Sequence, residues 1–344
     1  MGKKIKVLYI GDSRKMRGGV STVIKTIESS YLWNRFNCYW LETQINANWW
    51  FKFWYLIKGY FKGLYIIPQF DIIHFQTEPK KGTKTLLFLF LYSKLLRKKI
   101  VTQYHVGNQL QKCSSLPIFR FWLRQSDKTL FLGKIWMEQM KNLVVNIKSV
   151  DYLYNPVPIQ PKQDRHENYF LFAAVFRANK GCDILIKAFS KIAKKYPDWK
   201  LVLCGSGDDK PQIDKLIVDY GMSQQIVLPG WINDEDKKKY FKNAYAYCMC
   251  SYLEGLPMSV LEAMSYGVPV ITTPVGCLPE FLEDNVSALF YNFGDIDTLA
   301  NKLESLIVNK SLHDKIANNG YNLVKEKFDT DVICNKLSNI YNSL

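Results

Sequence analysis

Two glutamates eight positions apart, Glu254 and Glu262, are the residues of this chain best placed to do chemistry. They bound the segment Glu254-Gly255-Leu256-Pro257-Met258-Ser-Val-Leu-Glu262, which continues Ala-Met-Ser-Tyr-Gly267-Val-Pro269-Val. Pro257 suits the first turn of a helix, where its missing N–H costs nothing. Glu254 then falls in the loop before that helix and Glu262 within it. Backbone N–H groups at such a helix start attract an anion, and the helix dipole adds positive potential. Two carboxylates flanking an anion site suit a ligand with phosphates in its middle and hydroxyls at both ends. A nucleotide sugar has that shape.

The segment resembles the E-x7-E motif of the retaining glycosyltransferases of family four. Thr272-Thr-Pro-Val-Gly276-Cys-Leu-Pro279-Glu280 resembles the stretch that follows the motif in that family. The likeness is strong over residues 169–294 and weaker, though in order, over 1–155. It implies an α/β chain of GT-B architecture, with two Rossmann-like doubly wound parallel-sheet domains facing across a cleft. It also implies that Glu262 holds the two ribose hydroxyls of a nucleotide. Glu254 would lie by the donor sugar, with Gly255, Leu256, Pro257 and Met258 lining the same site.

Transfer of a sugar from a nucleotide diphosphate builds negative charge on the departing phosphate, which something cationic must stabilise. The chain has no D-x-D and no His/Asp cluster at metal-ligand spacing. It does have Phe176-Arg177-Ala-Asn-Lys180-Gly181. Arg177 and Lys180 resemble the family's phosphate-binding pair, on a shorter loop than its relatives usually carry. That resemblance implies catalysis without a metal and no cofactor beyond the nucleotide-diphosphate sugar itself. Arg17-Gly18-Gly19-Val20 resembles the loop that closes over the donor phosphates and faces the acceptor. His105 matches a family histidine beside the donor sugar, with Val106 where an acidic neighbour is usual. Gly205-Ser206-Gly207 and Leu228-Pro229-Gly230 resemble loops lining the nucleotide site. His74 and Glu78, near another strand, are assigned no role.

These residues need a scaffold, and the apolar pattern supplies one. Ile5–Ile10, Asp71–Phe75, Ile100–Tyr104 and Thr129–Leu132 read as strands. Helices are predicted over Ser21–Ser30, Thr85–Leu96 and Pro117–Arg124. Alternation of strand and helix marks a doubly wound, mainly parallel sheet. The pattern pauses at Asn155-Pro156-Val157-Pro158 and stays polar to about Asn168, a linker by composition. It restarts with Tyr169–Val175, Lys200–Cys204, Ile226–Leu228, Tyr245–Met249 and Pro269–Thr272 as strands. Cys182–Lys195, Asp209–Tyr220 and Met258–Tyr266 read as helices between them. The domains are therefore expected at 1–155 (acceptor side) and 156–330 (donor side), with a helix over 331–344 packing back on the first.

Charge separates the two halves. The whole chain of 344 residues carries a net +15, yet residues 1–155 hold 25 basic and 8 acidic side chains and the remainder is slightly acidic. Such asymmetry gives the first half an anionic partner: nucleic acid, a membrane surface or a phosphate-bearing substrate. Residues 46–69 have nine aromatics and three lysines and no acidic residue. On a helix, Leu56, Trp49, Tyr60, Phe53, Leu64, Ile57, Trp50, Phe61 and Trp54 share one arc of roughly 160°. Lys52, Lys58 and Lys62 fall outside it. An interfacial membrane helix is built this way, with the Trp and Lys residues as its contacts. A sheet-covering helix with an apolar inner face is the other reading.

With 48 % hydrophobic residues, disorder is excluded. The longest uncharged stretch, Ala263–Pro279, is interrupted by three prolines and falls short of a membrane span. Eight cysteines without framework spacing read as reduced, buried thiols. The first residues run straight into a strand without a signal-peptide pattern. The expectation is a cytoplasmic enzyme, peripheral on the inner face of the cytoplasmic membrane. It would pass a sugar to a lipid-linked or saccharide acceptor in bacterial surface polysaccharide synthesis. A GT-B-like epimerase or phosphorylase is the rival enzyme. A nucleic-acid binder is the rival outside enzymes, but no recognition helix, zinc spacing or RNP-like strand supports it.

Overall fold

Runs of apolar residues without polar alternation become strands buried on both faces. The computed structural model describes residues 4–16, 19–107, 109–162 and 167–344. It divides into two units, one of residues 1–156 with 328–344 and the other of 157–327.

The first unit holds β1 (Val7–Asp12), β2 (Tyr39–Gln44), β3 (Ile72–Thr77), β4 (Lys99–Tyr104), β5 (Lys128–Phe131) and β6 (Val150–Tyr152). They pair in the order β2-β1-β3-β4-β5-β6, every pairing parallel. The order reverses between β1 and β3, so this is the unit's switch point, where doubly wound sheets open a crevice at the carboxyl ends. One core cluster gathers Leu8, Ile10, Ile73, Phe75 and Ile100 with Trp122. A second gathers Tyr104, Phe119, Leu123, Phe131 and Met140. The Thr330–Asn342 helix closes this unit, burying Ile333, Leu337 and Tyr341.

The second unit holds β7 (Glu167–Ala173), β8 (Lys200–Cys204), β9 (Ile226–Gly230), β10 (Ala244–Met249), β11 (Val270–Thr272) and β12 (Leu289–Phe290). Their order is β12-β11-β10-β7-β8-β9, again all parallel. The first three strands run outward one way from β7 and the last three the other way. The switch point lies between β7 and β10. Phe170, Phe172, Leu201, Leu203 and Ile271 form its core against Leu185, Ile186 and Phe189 of the Cys182–Ala193 helix.

Three departures from the sequence reading have local causes. β2, β6 and β12 are short or half-polar edge strands, which apolar runs do not announce. The helix predicted over Thr85–Leu96 is two, Lys81–Thr85 and Leu87–Leu95, hinged at Leu86. The third concerns Trp49–Ile66, which is a helix capped by the Asn48 side chain accepting from Phe51 N at 3.1 Å. Its apolar arc is a core face only along one edge, where Tyr60 packs against the first unit's core. The only fully buried positions are Gly59 and Gly63. A Cβ on Gly59 would stand 3.3 Å from Glu42 O, and one on Gly63 2.7 Å from Leu89 Cδ2. The helix seats its glycine stripe on β2 and the Leu87–Leu95 helix. Leu56, Ile57, Tyr60 and Leu64 are left half-buried at its flank. Trp49, Trp54, Phe61 and Tyr65 remain 65, 61, 70 and 77 % exposed.

Candidate active site

In the second unit the two loops leaving the switch-point strands carry the candidate residues. From β7 the chain passes buried Phe176 and exposed Arg177 into a short 3-10 turn, Ala178–Lys180. Gly181 follows at φ +65°, and a Cβ there would lie 2.2 Å from Cys250 O. Only glycine lets the turn come this close to the end of β10. From β10 the chain leads to Glu254 and then the Met258–Ser265 helix, with Pro257 at its N-cap and no side chain capping that end. Tyr252 N donates to Asn179 O at 2.9 Å, tying the two loops together.

Across this junction Lys180 Nζ meets Glu254 Oε1 at 2.5 Å, both side chains largely shielded. Arg177 stands three positions before Lys180, at the N-cap of the turn. Neighbouring loops are locked to the same frame. Phe176 N donates to Ser206 O, Gly205 N to Gly230 O, and Cys277 N to Gly255 O, each at 2.9 Å. Gly205, Gly255, Leu256 and Pro257 therefore sit on one interlinked set of loops, with Leu228 inside β9 and Met258 opening the helix. Glu262, one turn and more into its helix, pairs with Lys237 at 2.6 Å. Sequence reading missed Lys237, because Asp234-Glu-Asp-Lys237-Lys-Lys looks like an ordinary solvated helix face.

In the first unit His105 follows β4 and Asp12 ends β1. His105 Nε2 bonds Gln76 Oε1, and burial lowers the imidazole's pKa to about 4. Gln76, on β3, thus supplies the partner that Val106 cannot. Burial, with Glu78 nearby, raises the Asp12 carboxyl to about 6. Gly19 opens the Gly19–Glu28 helix, whereas Gly18 and Arg17 lie outside the described residues. Trp49, Trp50, Lys52, Trp54, Lys58 and Lys62 lie on the outer surface of their helix. No disulfide joins any of the eight cysteines, seven of which are buried. Among the described residues no three His, Cys, Asp or Glu side chains gather to hold a metal ion.

Residues 158–323 match the family model for glycosyl transferases group 1. The chain carries a glycosyl transferases group 1 domain. That domain is the unit holding Arg177, Lys180, Glu254 and Glu262. An uncharacterized glycosyltransferase of Methanocaldococcus jannaschii is 30 % identical over 175 residues, 51 % of this chain and 45 % of that protein. The capsular polysaccharide biosynthesis glycosyltransferase CapM of Staphylococcus aureus is 30 % identical over 168 residues, 48 % of this chain and 43 % of that one. The chain thus spans about half the length of these curated relatives. Anabaena HepE, solved in complex with UDP, superposes with a TM-score of 0.79 at 17 % identity, covering 99 % of this chain and all of that one. The same protein has been solved with UDP-glucose. The architecture around the group 1 domain is GT-B, with two parallel six-stranded sheets and flanking helices.

Proposed function

We propose that this chain is a retaining, metal-independent glycosyltransferase. It moves a sugar from a nucleotide-diphosphate sugar to a lipid-linked or saccharide acceptor in bacterial surface polysaccharide synthesis. The Lys180–Glu254 pair, set at the strand-order reversal of the group 1 domain, carries the reading. Doubly wound sheets bind ligands at that point. A cation there meets the charge that gathers on the diphosphate as its bond to the sugar C1 breaks. With no donor present Glu254 balances Lys180. An arriving diphosphate draws Lys180 away and leaves the Glu254 carboxylate to the sugar, whose reacting carbon gains positive character. Arg177 adds a second cation at the turn's N-cap. Glu262 takes the ribose hydroxyls while Lys237 keeps its charge balanced. His105, neutral at physiological pH, hydrogen-bonds the sugar without adding charge. Gly205 and Leu228 are assigned to the donor by the family resemblance, and a uridine diphosphate sugar is the first to test.

The acceptor side works at an anionic membrane surface on the cytoplasmic face. Supporting this, Trp49, Trp50, Phe51, Phe53, Trp54, Phe61 and Tyr65 are exposed on a helix that also exposes Lys52, Lys58 and Lys62. The apolar surface continues through Tyr60, whose ring lies 5.6 Å from Phe88, to exposed Leu91 and Leu95. Contiguous apolar area with basic neighbours marks an interfacial contact. Among the described residues no helix is long and apolar enough to cross a membrane.

Thermal-shift screening against nucleotide sugars, followed by product analysis with saccharide acceptors, tests the reading. Nucleoside diphosphate release should need an acceptor, survive EDTA and fall by orders of magnitude in Glu254→Gln. Release without acceptor that yields an epimerised sugar would sink it, and strict dependence on added magnesium would remove the metal-independent part.

A further inference from the structure

A strand buried on both faces in a parallel sheet is normally all apolar. β3 is buried throughout, yet it carries His74 and Gln76 on one face, two positions apart. Their cross-strand partners share the anomaly: Tyr9 on β1 is in register with His74, and Gln103 on β4 with Gln76. Tyr341, from the Thr330–Asn342 helix, completes the row. His74 Nδ1 lies 2.6 Å from Tyr341 Oη, which lies 2.7 Å from Tyr9 Oη. Gln76 Nε2 lies 3.1 Å from His74 Nε2 and 3.0 Å from Gln103 Oε1. Gln76 Oε1 takes the bond from His105 Nε2.

The donor inventory of these groups leaves few choices. The Gln76 amide nitrogen donates to Gln103 Oε1 and, with its second hydrogen, to His74 Nε2. His74 Nε2 is then an acceptor, so its proton is on Nδ1 and goes to Tyr341 Oη. The Tyr341 hydroxyl hydrogen is left for Tyr9 Oη. At the other end Gln76 Oε1 can only accept, so His105 carries its proton on Nε2 and presents Nδ1 as a lone pair. Each link fixes the next, and bonds running one way along a chain polarise one another. No carboxylate or ammonium group belongs to the row. Asn155, also within hydrogen-bonding reach of His105, is neutral as well.

We infer that Tyr341, His74 and Gln76 are positioning residues that fix the tautomer and ring orientation of His105, with Tyr341 as the far anchor. The inference rests on the reading of His105 as a donor-sugar residue only for its effect on turnover. The effect on the imidazole itself is independent of that reading.

Nitrogen-15 NMR of histidine-labelled protein, with His105 and His74 assigned by substitution, tests it. In the unmodified chain His105 should be a single Nε2–H tautomer. Tyr341→Phe removes the acceptor of His74 Nδ1–H, so both imidazoles should show mixed tautomers and kcat should fall roughly tenfold, about one buried hydrogen bond. Gln76→Glu serves as the second variant, should Tyr341→Phe fold poorly. Its carboxylate would still accept from Nε2–H but would favour the imidazolium, so an acidic limb in the pH–kcat profile should move upward toward neutrality. An unchanged His105 tautomer in folded Tyr341→Phe, or an unmoved His105 titration in Gln76→Glu, overturns the inference. Altered tautomers with unchanged kcat would instead leave the relay standing and overturn the role given to His105.

Discussion

Replacing Lys180 by alanine removes one positive charge from the point where the proposed reaction gathers negative charge. Its Nζ is 2.5 Å from Glu254 Oε1, and the two side chains keep 24 and 19 % exposure, so the setting is neither bulk water nor dry interior. With an effective dielectric of about 20, unit charges about 4 Å apart interact by roughly 4 kcal/mol. That corresponds to roughly a thousandfold in rate if the interaction is felt fully in the transition state. Loss of one preorganised donor typically costs about 10²–10³ in kcat, which agrees. We expect Lys180→Ala to lower kcat by that factor while the donor KM moves much less. The leaving oxygen gains most of its charge only as the bond breaks. Folding should suffer little, since a partly exposed pair contributes about 1 kcal/mol or less. Lys180→Arg should recover part of the loss, limited by the short turn that Gly181 anchors. The assay is acceptor-dependent release of nucleoside diphosphate, with circular dichroism as the folding control. A kcat within about threefold of the unmodified chain would remove Lys180 from charge stabilisation. A rise in KM alone would make it a binding residue only.

The double substitution Trp49→Ser/Trp54→Ser deletes two indoles that are 65 and 61 % exposed, so melting should stay within about 0.5 kcal/mol of the parent. Sedimentation with anionic vesicles should nevertheless weaken at least tenfold, at roughly 1.5–3 kcal/mol per buried aromatic. Equal binding by both proteins sinks the helix as the membrane contact. For His74, burial lowers the pKa to about 3, chiefly by desolvation. The folded chain keeps it neutral while the unfolded chain takes up a proton below about 6.5. Its contribution is therefore fully present above pH 6.5 and lost as pH falls toward 3. Between pH 6.5 and 4.5 that amounts to about 2–3 kcal/mol, read as a drop in urea midpoint. His74→Gln should flatten this drop; an identical pH dependence in both proteins would mean the imidazole is not held neutral.

What could be read from the sequence, and what could not, follows from how far apart the cooperating residues lie. Glu254 and Pro257 are legible because a proline at a helix start fixes local backbone geometry, whereas Lys180 and Gly181 are legible only through their likeness to the family's phosphate-binding loop. Strand and helix alternation exposed both sheets for the same local reason, losing only short or half-polar edge strands, β2, β6 and β12. Lys237 was opaque: its partner Glu262 lies in another helix, and nothing in a lysine run says which lysine turns inward. His105 was half legible, since its place after β4 is local but its orientation depends on Tyr341, 267 positions beyond His74.

The Trp49–Ile66 helix is the more instructive case. Periodicity states which side of a helix is apolar and is silent on whether anything covers that side. The signal that settles it was present in Gly59 and Gly63, one turn apart and so on one face. Glycine in a helix interior costs about 1 kcal/mol relative to alanine. Two at that spacing are tolerated where the backbone itself must approach a neighbour, and here both meet atoms that a Cβ would crowd. The backbone stripe makes the closest contact, and of the arc only the side chains beside it, Tyr60 among them, also reach the core. Trp54 and Phe61, farther round the helix, point outward by the same geometry that seats the glycines. A helix with small residues on its inner face and tryptophans on its outer one has its strongest apolar surface still to bury.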